Sequence, residues 1–81
     1  MTLNKLYNKL VKAGYNVETG TLYNIGGTGE NAEMIIVNHD YSGPYPTREA
    51  LNTAENARNL AIKNNFHYQH RGNYQATFIY C

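Results

Sequence analysis

The chain is short of almost everything that advertises a chemistry. It has a single cysteine, so no disulfide can form within it, and that usage points to a reducing compartment. Seven Lys and Arg against six Asp and Glu leave a formal net charge of +1. That balance is too even for the basic surface expected of phosphate-led nucleic-acid binding. It is also not acidic enough to imitate DNA by charge density. Met1 is not followed by an unbroken apolar stretch, which argues against a signal peptide. No apolar run approaches the roughly 20 residues needed to cross a bilayer. These absences predict a cytoplasmic protein with no membrane partner. Eighty-one residues predict a single domain, 1–81, whose core is thin enough that most apolar side chains serve the fold itself.

What is abundant is polar and uncharged. Eight tyrosines and twelve asparagines occur with no tryptophan, a usage that AT-rich codons alone can produce. Thr2 caps a stripe of Leu3, Leu6, Tyr7, Leu10 and Val11, the spacing of an amphipathic helix. Lys5, Lys9 and Lys12 lie opposite, and Gly14 closes a helix over about 3–13. From Tyr15 the period drops to two: Tyr15, Val17 and Thr19 alternate with Asn16 and Glu18, and Leu22, Tyr23 and Ile25 resume after Gly20. This predicts a strand with a bulge or bend at Gly20. A loop over 26–31 leads to Met34-Ile35-Ile36-Val37, a strand buried on both faces. Two prolines and a glycine make 40–46 a loop. Thr47 then caps a second helix carrying Ala50, Ala54, Ala57 and Ala61 on one side, with Leu51, Leu60 and Ile62 beside them.

The closing NNFHYQHRGNYQATFIYC predicts a hairpin. Phe66, Tyr68 and His70 share one face, against His67 and Gln69. After a turn at Arg71-Gly72-Asn73, Tyr74, Ala76, Phe78 and Tyr80 share a face, against Gln75, Thr77, Ile79 and Cys81. The predicted class is α+β, in the order α-β-β-α-β-β. It is a circular permutation of the ferredoxin-like order, with a four-stranded antiparallel sheet and two helices packed on one face. Strand four should lie beside strand two in the middle of the sheet.

Candidate chemistry is sparse. His67 and His70 form an H-x-x-H, but three residues apart on a strand they face opposite ways, and His39 with Asp40 is a distant third partner. A metal site needs three or four converging ligands, so none is expected. Cys81 lacks a base held rigidly beside it, which argues against a nucleophile. The 26–29 glycines precede a strand and no Lys follows, unlike a phosphate-cradling loop. No catalytic residue, metal or cofactor is therefore expected. Two binding readings remain. In one, Tyr41 and Tyr45 on the proline-framed loop, with Thr28, Glu30 and Asn31 on the hairpin loop, contact a partner protein. In the other, an aromatic sheet face stacks single-stranded bases while Lys5, Lys9, Lys12 and Arg71 meet phosphates.

The opening LNKLYNKLVKAGYNV, passing from helix into strand, and the apolar MIIVNHD strand resemble the first half of small phage-encoded anti-CRISPR inhibitor proteins. The resemblance implies a non-enzymatic phage or mobile-element protein that binds a host protein, a CRISPR effector or another defence protein, in the host cytoplasm. Inhibitors of this kind that mimic DNA carry many acidic residues. With only six here, the implied mode is steric occlusion of a protein surface. A homodimer through helix one or an open strand edge is a further expectation.

Overall fold

Helix α1 (Leu3–Lys12) begins where the sequence supplies a cap. Thr2 Oγ1 accepts a hydrogen bond from the Lys5 backbone N–H at 3.2 Å. Gly14, at φ +90°, turns the chain out of the helix. Strand β1 (Asn16–Leu22) and strand β2 (Ala32–Asn38) form an antiparallel hairpin. Helix α2 (Arg48–Lys63) is capped by Thr47, whose Oγ1 accepts from the Ala50 N–H at 3.1 Å. Strands β3 (His67–Arg71) and β4 (Ala76–Tyr80) close the chain as a second hairpin. This computed structural model describes residues 1–23, 27–39, 45–72 and 75–81.

The sheet is antiparallel throughout, in the order β1-β2-β4-β3. The predicted α+β class and α-β-β-α-β-β order hold, and β4 lies beside β2 at the centre. Period-two alternation and the register fix the two faces. One face carries Val17, Ile35, Val37, Ile79, Thr77, Tyr68 and His70. Against it pack Leu6 and Leu10 of α1 and Ala57 and Ala61 of α2, with Phe66 closing the cluster. α1 lies over β1 and β2, and α2 lies over β3 and β4. The four alanines of α2 are all buried, and their small side chains let the helix backbone sit close to the strands.

Two sequence expectations change. β1 has no bulge: its pairing with β2 runs one-to-one from Asn16↔Asn38 to Leu22↔Ala32. Gly20 instead makes room. A Cβ there would meet Ile36 Cδ1 at 3.0 Å and Met34 Cε at 3.1 Å. Both side chains therefore lean across β1. Leu51 and Ile62 are exposed rather than set beside the core. The rings of the closing hairpin are divided between the faces. Phe66 and Tyr68 serve the core, whereas Phe78 and Tyr80 share parity with Met34 and Ile36 on the opposite face. Among the described residues, no helix is long and apolar enough to cross a membrane.

Candidate functional site

The face without helices is the most distinctive surface of the domain. An antiparallel sheet with one wet face normally alternates apolar and polar residues along each strand. Here the two central strands break that rule. β2 presents Met34, Ile36 and Asn38 there, and β4 presents Ala76, Phe78 and Tyr80. Met34 is only 8% exposed although it shares this face by strand parity. The space over Gly20 and the paired Tyr80 account for that. Ile36, Phe78 and Tyr80 are half-buried.

The two edge strands frame this centre with polar groups. β1 contributes Asn16 and Glu18, and β3 contributes His67, Gln69 and Arg71. The Arg71 guanidinium lies 5.3 Å from the Phe78 ring centroid, close enough for a cation–π contact. The His67 ring packs 5.7 Å from that of Tyr80. Glu18 and Arg71, one charge of each sign, stand on opposite edges of the face.

Beneath the sheet lies a polar cluster on the helix-covered side. Thr77 is fully buried, and its hydroxyl is 2.8 Å from His70 Nδ1 and 2.8 Å from His39 Nε2. A hydroxyl has one proton to give, so at least one imidazole must donate to it. The cluster extends outward, with the Tyr68 and His70 rings 5.4 Å apart and Arg58 Nε donating to Tyr68 Oη at 3.1 Å. Burial, then the neighbouring His39, then Arg58 hold the His70 pKa below its ordinary value. This favours neutral His70. A hydroxyl sealed this completely cannot reach a substrate, so the arrangement is structural: it satisfies polar groups inside the core.

His67 and His70 face opposite sides of β3, as strand geometry predicts. The structure joins His39 to His70 rather than to His67. No group of three His, Cys, Asp or Glu side chains suited to a metal occurs among the described residues. Cys81 is an exposed thiol.

The expected contact residues belong to two separate connections of the chain. Thr28, Glu30 and Asn31 are exposed in the loop between β1 and β2, where Thr28 Oγ1 accepts from the Glu30 N–H at 3.2 Å. Tyr45 lies in the connection between β2 and α2. Its ring is 83% exposed, so it is not a loop anchor. Tyr41 and Asp40 lie outside the described residues, as do Tyr74 and Asn73. Lys5, Lys9 and Lys12 line the outer side of α1, across the sheet from the aromatic face. Only Arg71 of the four predicted phosphate contacts stands beside Phe78. A groove of about 390 Å³ between α1 and the β1–β2 hairpin is lined by Leu3, Tyr7, Thr19, Thr21, Glu33 and Ile35. Glu33 is the single carboxylate in that lining, which gives no acid–base pair.

Sequence reasoning missed Met34, Ile36, Phe78 and Tyr80 as a surface. Their alternation was visible, but the side to be covered was not. The chain matches no protein-family model, no curated protein and no solved structure.

Proposed function

We propose that this chain is a small non-enzymatic protein-binding domain that docks through the open face of its sheet and acts by steric cover. The observation that carries this reading is the half-exposed run of Ile36, Phe78 and Tyr80, with Met34 buried beside them, across the central strands on the face that none of the described helices covers. Apolar surface left exposed costs free energy of about 25 cal/mol per Å² relative to burial. A contiguous patch of this kind rimmed by polar residues marks an interaction site. The rim supplies Glu18, Gln69, Arg71 and His67. Tyr45 in one connection and Thr28, Glu30 and Asn31 in another extend the contact with a larger host protein. The inhibitor role implied by the opening sequence remains part of this proposal, with occlusion as its mode.

Phe78 and Tyr80 also favour a second reading, stacking of single-stranded bases. Protein ranks first because Glu18 offsets Arg71, while the three lysines stand on the far side of the domain. The test is capture from host-cell lysate, with and without nuclease, by immobilised wild type and by the Phe78→Ser/Tyr80→Ser variant. A protein retained by wild type after nuclease treatment, and lost from a variant that still unfolds cooperatively, supports the reading. Retention that disappears with nuclease overturns it in favour of nucleic acid. Retention unchanged in the variant places the contact elsewhere.

A further inference from the structure

We infer that the open face is covered, in the free protein, by a second copy of this chain packed sheet to sheet about a two-fold axis parallel to the strands. This rests on the docking role proposed for the face and names its partner. Two arrangements bring two such sheets together with two-fold symmetry and their strands aligned. An axis across the strands sets β1 over β1 and β3 over β3, so Glu18 would meet the Glu18 edge and Arg71 the Arg71 edge. An axis along the strands sets β1 of one copy over β3 of the other. Glu18 then falls above Gln69 of the second copy, with Arg71 one row away on one side and His67 one row away on the other. Opposite charges thus lie diagonally across the interface, one row apart, at two symmetry-related places, as an isologous interface requires. Charge therefore selects the second axis.

The same axis fits the apolar centre. β2 of one copy lies over β4 of the other, so Ile36 faces Phe78 of the second copy and Met34 faces Tyr80, each contact made twice. Among the described residues, Glu18, Arg71 and His67 are the only charged or titratable side chains other than Tyr80 on this face, so no further charge is buried. With strands ~4.8 Å apart and ~3.4 Å per residue, the outline of the face is roughly 400 Å² per copy. Side-chain relief adds to this. A total of at least roughly 800 Å² lies below the roughly 1,200 Å² at which stable specific interfaces begin, in the range where association is weak and depends on concentration. A larger partner that docks on this face must displace the second copy.

Sedimentation equilibrium from about 5 to 500 μM, on wild type, Glu18→Arg, Arg71→Glu and the double exchange, tests this. The expected result is a reversible wild-type dimer with a micromolar dissociation constant. Each single exchange should weaken it about tenfold or more by placing like charges opposite each other, and the double exchange should recover most of the loss. Circular dichroism confirms that the variants fold. A dimer indifferent to both exchanges, or a double exchange as weak as the singles, overturns the arrangement. Wild type that stays monomeric throughout overturns the second copy. If such a monomer still captures a protein through Phe78 and Tyr80, the docking face survives; if it captures nothing, the docking reading fails too.

Discussion

Thr77→Val probes whether the fold depends on a buried hydroxyl. Valine matches threonine in shape, so the change opens no cavity and adds one methyl to a closed core. What it removes is the oxygen lying 2.8 Å from both His39 Nε2 and His70 Nδ1. His70 is only half-buried and can turn toward water at small cost. His39 is 6% exposed and cannot. The loss is therefore set by the ring nitrogen of His39 that faced position 77, about 1–3 kcal/mol for a buried polar group deprived of its partner. The added methyl returns less than about 1 kcal/mol. A net loss of about 1–2 kcal/mol is a large share of the ~4–12 kcal/mol expected for a chain of this size. It corresponds to a fall in Tm of roughly 4–16 °C. Urea melts followed by circular dichroism at pH 7.5 measure it, with Thr77→Ser as the control that keeps the oxygen. If Thr77→Val proves as stable as wild type while Thr77→Ser is weakened, packing and not the histidine bridge is what position 77 supplies.

Two further outcomes follow from the same interior and from the open face. The His70 pKa is lowered in the folded chain, first by burial, then by His39 and Arg58. The unfolded chain therefore binds more protons once the pH drops below about 6.5. Stability should hold above that pH and decline as acid is added, down through the folded-state value. In the difference between wild type and His70→Gln, a rise in stability on acidification through pH 6 would contradict the assignment. At Gly20, an added Cβ reaches only the flexible tips of Ile36 and Met34. Gly20→Ala should thus stay within about 1 kcal/mol of wild type, yet shift the Met34 ε-methyl and Ile36 δ1-methyl resonances. Unmoved resonances would mean that these side chains do not lean over β1.

The parts of this fold written in local pattern were legible. Thr2 and Thr47 cap the helices they were expected to cap, and alternation in the closing hairpin divides Thr77 and Ile79 from Phe78 and Tyr80 as observed. What escaped needed information from across the sheet. Alternation separates two faces but does not say which is covered, and β2 and β4 are apolar on both. A glycine within a strand has the same signature whether it marks a bulge or makes room for a neighbour's side chain, so the sequence did not exclude a bulge at Gly20. On α2, Leu60 and the pair Leu51 and Ile62 flank the alanine stripe on opposite sides. Only the Leu60 side turns toward the core, leaving the other two exposed. The His39–Thr77–His70 bridge depends on register: His70 pairs with Thr77, and His39 follows one residue after β2. The contact residues chosen from loop composition, Tyr45 and Thr28 among them, belong to different connections, before and after β2 in the chain. Composition identifies exposed loops without placing them together.

The central claim is that the open face exists to be covered. Paramagnetic relaxation by a soluble gadolinium chelate measures this directly at the Ile36 δ1-methyl and the Phe78 ring, with Val11 and Ile62 on the outer sides of the helices as references. The account predicts strong relaxation at Ile36 and Phe78 in dilute protein that falls as the protein is concentrated, while Val11 and Ile62 stay equally accessible. Relaxation at Ile36 and Phe78 that is the same at every concentration and unaffected by any captured partner would contradict it.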